Sequence, residues 1–194
     1  MSLLEEECNI ILSALFKRRP DPDDQGASFY IRFMEAATIK VLKDELKERT
    51  PEQIVEYCLH LARFKKENKE LLTYLLFEAN DEESYINTVR ESMDEMFNAI
   101  NRASYYFIRK GVRKILRETK KYIRYSKKKE TEVQLLMYFC EKLKNLQPDY
   151  SRSTVLANLF DRQIALIRKR INTLHPDLQY DYGRALDELE GKSS

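Results

Sequence analysis

A chain of 194 residues with 43% hydrophobic residues is long enough for one domain, or two small ones, with a real core. It contains no apolar run of the 18 or so residues that cross a membrane. Acidic residues stand near the N-terminus where a signal peptide requires basic ones, so secretion is not indicated. We therefore expect a cytoplasmic protein without a membrane partner; a nuclear location in a eukaryote is the alternative.

The net charge of +2 hides a strong segregation of charge along the chain. Of 34 basic and 32 acidic residues, twelve basic and one acidic residue lie in the segment 102–129. The rest of the chain therefore carries 22 basic and 31 acidic residues. This basic segment needs either acidic elements of the same fold or an anionic partner.

The predicted elements are all helices. A short N-terminal helix (residues 1–19) precedes a linker rich in Pro and Asp and an all-helical domain over residues 27–190. Within that domain, apolar residues at steps of three and four predict helices over 28–49, 51–79, 81–101, 102–129, 132–146, 153–174 and 178–189. The segment 51–79 is either an antiparallel pair that turns near Asn68 or one bent helix.

Local capping signals mark the clearest helix starts. Thr50 followed by Pro51 and Gln53 predicts a capping box, and Asp81 is a suitable N-cap for the helix that follows. No segment shows the strict alternation of a strand. The fold class is therefore all-α, with about eight amphipathic helices. They form a single bundle or a short α-solenoid of antiparallel pairs; similar patterns in residues 57–77 and 138–160 would suit a repeat.

The three cysteines are odd in number, widely spaced and set among apolar residues. This pattern predicts buried free thiols in a reducing compartment. They are Cys8, Cys58 and Cys140.

Motifs for catalysis are missing. The four glycines stand far apart, so no common phosphate-binding loop is present. His60 with Glu56 one turn earlier is a weak metal pattern, and neither His60 nor His175 has the context of a catalytic base. We predict no enzyme activity, no metal and no cofactor.

The basic helix combines an apolar stripe with a basic stripe. Its core-facing residues are predicted to be Ile108, Val112, Ile115, Leu116, Thr119, Tyr122 and Ile123. The acidic helix before it would place Glu91, Asp94 and Glu95 near the start of the basic stripe in an antiparallel hairpin. We therefore expect the C-terminal half of the basic stripe to stay unpaired.

These observations favour a non-enzymatic helical binding or scaffold module whose basic face engages an acidic protein partner. The alternative is binding of RNA or single-stranded DNA without sequence specificity, with Tyr125 stacking on a base. A solvated helix face without any partner is the third interpretation. The predicted binding residues are Arg109, Arg113, Arg117, Lys120, Lys121, Arg124, Tyr125, Lys127, Lys128 and Lys129.

Overall fold

A computed structural model of the protein describes residues 36–191. Within this range the chain forms eight α-helices and no strand, so the predicted all-α class is confirmed. A π-helical turn covers Tyr74–Glu78 and a 3-10 turn covers Tyr150–Arg152. The predicted helix over 1–19, the linker and Cys8 lie outside the described residues. The helices are α1 Ile39–Lys47, α2 Pro51–Phe64, α3 Lys66–Thr73, α4 Glu82–Asn98, α5 Tyr105–Ser126, α6 Lys129–Lys144, α7 Thr154–Ile171 and α8 Pro176–Glu190.

The described residues belong to two units, 36–49 and 50–191. In the first unit, α1 begins after Thr38, which is extended and whose side chain accepts a hydrogen bond from the backbone N–H of Val41. A continuous helix over 28–49 is therefore wrong at residues 36–38, which are not helical. The predicted domain over residues 27–190 stays a prediction.

The second unit begins with the predicted capping box. Thr50 accepts from the backbone N–H of Gln53, and the side chain of Gln53 accepts from the backbone N–H of Thr50. Lys65 is extended and separates α2 from α3, and the Asn68 amide donates to the carbonyl of Leu61 over 2.9 Å. The segment is thus a pair of helices, with its turn at Lys65 rather than near Asn68.

The core lies where α4, α5 and α6 pack against one another. α4 and α5 run antiparallel, and the Tyr85 hydroxyl near the start of α4 donates to the carbonyl of Tyr122 near the end of α5. α7 packs on α6, and α8 packs on α7 and α6. Fully buried side chains from these five helices include Met93, Ile108, Val112, Phe139, Leu156, Ile167 and Leu186.

Gly111 allows a close approach between α5 and the loop after α4. A Cβ atom at this position would lie 3.0 Å from Cγ1 of Ile100. Because Ile100 is itself buried, it has little room to give way. The glycine within the long helix is therefore explained by packing.

The two described cysteines differ. Cys140 is fully buried, and burial raises the pKa of its thiol to about 12, so it is a core thiol as predicted. Cys58 is only half-buried on α2, so the expectation of a buried thiol is wrong there. It lies on the helix pair that contributes least to the core, because α2 and α3 bury no side chain fully.

Candidate functional site

The site is the long basic helix α5. Its apolar stripe is buried as predicted at Ile108, Val112, Ile115 and Thr119, which recur at steps of three and four. Leu116, Tyr122 and Ile123 are half-buried against the same core. The helix is shorter than the predicted range 102–129, since Lys127 adopts a positive φ of 58° and ends it, and Lys129 already begins α6.

The N-terminal half of α5 presents a basic groove. We define the basic groove as Tyr106, Arg109, Lys110, Arg113, Lys114 and Arg117, which together line an open surface groove of about 580 Å³. Arg109 is half-buried and the other five side chains are exposed. Arg109 and Arg117 are eight residues apart, about 12 Å along the axis at the α-helical rise. The five cations therefore form a dense row over about two turns.

The cations of the basic groove lack carboxylate partners from the other described helices. Among residues 36–191, Arg117 alone of these five has an acid within ion-pair distance, and that acid is its neighbour Glu118 at 4.0 Å. Arg109, Arg113 and Arg117 stand at i,i+4 spacing, where like charges repel by a few tenths of a kcal/mol per pair. The groove thus holds unneutralised positive charge that slightly destabilises its own helix.

The C-terminal half of α5 is different, because α3 lies against it. The Lys121 ammonium lies 2.8 Å from a carboxylate oxygen of Glu70 and 2.7 Å from one of Glu118, and only 13% of its side chain is exposed. Burial alone lowers the pKa of Lys121, but its hydrogen bonds to these two carboxylates outweigh burial and raise the pKa above its ordinary value. Lys121 is thus a structural cation.

Tyr125 was predicted to stack on a ligand, and this prediction is wrong. Its side chain is buried, with 8% exposure, and its hydroxyl donates to Glu70 over 3.0 Å. Burial and this hydrogen bond raise the pKa of Tyr125. The residue lies on the side of α5 that α3 covers, so it is unavailable to a base or to any other ligand.

A carboxylate on α4 organises the end of α5. Glu82 accepts hydrogen bonds from the hydroxyls of Tyr74, Ser126 and Thr131, and its carboxylate lies 2.9 Å from the Lys128 ammonium. Burial raises the pKa of Glu82, but these hydrogen bonds together outweigh it and hold the pKa below its ordinary value. Glu82 thereby ties the start of α4 to the junction of α5 and α6.

The remaining predicted binding residues fall into two groups. Arg124 and Lys127 are exposed and Lys120 is half-buried; none of the three makes an ion pair with another described residue. Lys129 is exposed, and its ammonium lies 3.4 Å from the backbone carbonyl of Thr173. Lys120, Arg124 and Lys127 thus extend the row of cations of the basic groove toward the C-terminus of α5.

The expected neutralisation by the acidic helix is also wrong. Asp94 pairs with Lys142 on α6 at 2.8 Å and accepts from the Tyr138 hydroxyl at 2.7 Å, rather than meeting the start of α5. Lys128, which we expected to be out of reach of α4, pairs with Glu82 in the first turn of that helix. Within the C-terminal half of the basic stripe, Lys121 and Lys128 therefore have acidic partners, whereas Lys120, Arg124 and Lys127 form no ion pair with a described residue.

Three residues of the basic groove were missing from the predicted set. Lys110 and Lys114 belong to the same exposed face, and Tyr106 is 61% exposed and lies within the groove. Their spacing in the sequence could have identified them. Tyr106 precedes Lys110 by four residues and Lys110 precedes Lys114 by four, so the three residues share one face of a helix. Phe107, beside Tyr106 with ring centroids 5.3 Å apart, is 44% exposed.

A second exposed surface lies on the helix pair next to α5. Large apolar side chains on α2 and the π-helical turn are between 42% and 76% exposed: Val55, Tyr57, Leu59, Leu61, Phe64, Leu75, Leu76 and Phe77. Soluble monomers rarely expose many large apolar groups together, and such patches mark sites of protein association. The contact between Glu70 and Lys121 places this pair beside the basic helix.

The described residues offer little support for a catalytic or metal site. His60 is exposed on α2, and His175 caps α8 by accepting from the backbone N–H of Asp177. Residues 36–191 contain no group of three or more His, Cys, Asp or Glu side chains arranged to hold a metal ion. Over the same range, every helix is too short or too polar to cross a bilayer.

Comparison of the chain with protein families, with characterised proteins and with solved structures finds no match.

Proposed function

We propose that this protein is a non-enzymatic helical binding module whose basic groove on α5 engages an acidic protein partner. The observation that carries this proposal is the row of five cations, Arg109 to Arg117, without a carboxylate from any other described helix. Lys121 and Lys128 are paired with carboxylates of other helices, whereas no cation of this row has such a partner among residues 36–191. Its like-charge repulsion is relieved when an acidic segment binds.

Two further features favour a protein over a nucleic acid. The chain outside residues 102–129 has nine more acidic than basic residues. This net negative charge would repel a long polyanion, such as a nucleic acid, wherever it extends beyond the groove. The exposed apolar side chains of α2 and the π-helical turn suit contact with another protein. The row of cations is about 12 Å long, which suits a short acidic segment. If that segment is helical, its carboxylates at i,i+4 have the same spacing along the axis as the arginines of α5.

Binding of single-stranded RNA or DNA is the second candidate, and Tyr106 is the observation that favours it. An exposed aromatic ring beside a row of arginines can stack on a base while the arginines contact phosphates. This role replaces the one predicted for Tyr125.

The test is a fluorescence-anisotropy titration of the full chain with a labelled oligoglutamate peptide and with labelled single-stranded oligonucleotides, each at two salt concentrations. We expect oligoglutamate to bind and the triple variant Arg109→Glu/Arg113→Glu/Arg117→Glu to weaken binding by about a hundredfold or more. A matched control reverses three exposed cations on α7 and α8 and should bind as the wild type does. These are Arg162→Glu, Lys169→Glu and Arg184→Glu.

The nucleic-acid candidate gives a different result. Oligonucleotides would then bind more tightly than oligoglutamate, with a slope of log K against log salt of roughly −2 to −4 for three to five phosphates. Tyr106→Ala would weaken binding by about 1–3 kcal/mol without changing that slope. If neither probe binds saturably at low salt, or if both triple variants bind equally well, the proposal is overturned.

A further inference from the structure

A second site lies away from α5, in a cleft of about 530 Å³ between α4, α6 and α8. The structure assigns to this cleft the binding of a small carboxylate with an apolar or aromatic tail, and to Arg90 the role of its carboxylate-binding residue. The cleft is within the range of about 300–1,000 Å³ that small-molecule sites occupy. This inference is independent of the basic groove.

Arg90 has a charge that no described residue pairs. Its side chain is half-buried on α4, and its Nη2 atom donates to the Gln134 amide oxygen over 3.0 Å. Its Nε atom is buried without a hydrogen-bond partner. A guanidinium has five N–H donors, and here one neutral amide is the sole partner within residues 36–191. A buried N–H donor without a partner is unfavourable, and an acceptor that reaches the guanidinium relieves this cost.

The surrounding side chains fix Arg90 in place without neutralising it. Its guanidinium lies over the ring of Tyr138, 5.4 Å from the centroid. Gln134, which accepts from Arg90, donates to Glu130 over 3.4 Å, and Glu130 also accepts from the Tyr182 hydroxyl over 2.8 Å. The Glu130 carboxylate of this network thus contacts Gln134 and Tyr182, and it forms no ion pair with Arg90. The guanidinium is held in position for an acceptor that enters the cleft.

The chemistry of the cleft selects the ligand class. The planar fork of a guanidinium matches a carboxylate through two parallel hydrogen bonds. Glu141 and Glu188 also line the cleft and would repel a dianionic phosphate more strongly than a monoanion. Half-buried Met137 and Leu189 and the rings of the two tyrosines supply apolar surface for a tail. The ligand is therefore a monocarboxylate with an apolar or aromatic tail.

Such a carboxylate has two sources, a free organic acid or the C-terminus of a peptide. The test uses both, with NMR of the full chain labelled at methionine methyl and tyrosine ring positions. The probes are hydrocinnamate and its neutral amide, and a short peptide ending in Phe with a free or an amidated C-terminus. We expect saturable shifts at Met137 and Tyr182 with the carboxylate form of at least one pair and no saturable shifts with either amide.

The variant Arg90→Gln should weaken carboxylate binding by about tenfold or more, since it removes the charge and the fork. The matched control Arg184→Gln removes an exposed arginine of α8 and should bind as the wild type does. A response to hydrocinnamate alone identifies a free acid as the ligand, and a response to the free peptide alone identifies a chain end. Equal shifts from a carboxylate and its amide, or no saturable shift from any probe, would overturn the inference even if Arg90→Gln failed to fold.

Discussion

In the N-terminal half of the basic stripe, Arg109, Arg113 and Arg117 present positive charge that no other described helix neutralises, whereas in its C-terminal half Lys121 and, just beyond the end of α5, Lys128 are paired with carboxylates. The two halves share one apolar stripe, and both are rich in basic residues. They differ in their neighbours, because α3 and the start of α4 lie only against the C-terminal half. Basic residues that stabilise a fold and basic residues available for binding can thus follow one another on a single helix.

The largest expected effect tests whether both halves rest on one core. Ile115 is 2% exposed in the middle of the helix, and Ile115→Ala should lower the free energy of unfolding by about 2–4 kcal/mol through lost packing and a cavity. Leu116→Ala, at the neighbouring half-buried position, is the matched control and should have a smaller effect. Chemical denaturation measures both. An unchanged stability of Ile115→Ala, or a larger loss for Leu116→Ala, would show that the buried face has been assigned wrongly.

A second experiment compares one cation from each half. Lys121→Gln should lower the free energy of unfolding by about 1–3 kcal/mol, because it leaves Glu70 and Glu118 without the ammonium that they share. Arg117→Gln, at an exposed position, should change it by no more than about 0.5 kcal/mol. If both variants were equally stable, the two halves would not differ in their electrostatic environment.

Of the two halves, the C-terminal half should be the one that acid affects, through Glu82. The pKa of Glu82 is lowered in the folded chain from its ordinary value of 4.5, so its contribution to stability is complete above that value. The contribution is lost as the pH falls through the lower, folded pKa. The free energy of unfolding should therefore decrease as the pH falls below about 4.5, and Glu82→Gln should reduce this dependence. Arg113→Gln should leave the dependence unchanged, and a wild-type curve that stays flat over this range would contradict the prediction.

Local signals predicted the helices well. The capping box at Thr50, the N-cap at Asp81 and the buried stripe through Ile108 and Ile115 all depend on residues within one turn or one helix, and the structure confirms them. Their physical causes, unsatisfied N–H groups and the helical period, are readable from short stretches of sequence.

The pairing of the basic helix could not be predicted in the same way. Tyr125 and its partner Glu70 are 55 residues apart, and Ser126 and Glu82 are 44 apart. The first contact depends on where α3 lies, which depends in turn on the turn at Lys65, and the second depends on how α4 packs against α5. Spacing along α5 could nevertheless have identified Tyr106 as part of the basic face, because it stands three and four residues before Arg109 and Lys110.

The smallest expected effect has the opposite sign in the two halves. Arg113 has Arg109 four residues before it and Arg117 four residues after it, so Arg113→Glu converts two repulsive pairs into attractive ones. Each pair changes from a repulsion of about 0.2–0.5 kcal/mol to an attraction of similar size, so the variant should be more stable than the wild type by roughly 0.8–2 kcal/mol. Lys121→Glu, the same kind of reversal in the C-terminal half, should destabilise the protein because it places a third carboxylate beside Glu70 and Glu118.

Chemical denaturation at neutral pH and low salt measures both variants, and added salt should reduce the gain from Arg113→Glu. A gain in stability at Arg113 that is accompanied by weaker binding of oligoglutamate would show that the chain keeps this cation for binding and not for folding. A loss of stability at Arg113 would mean that the basic groove has a partner within the protein itself.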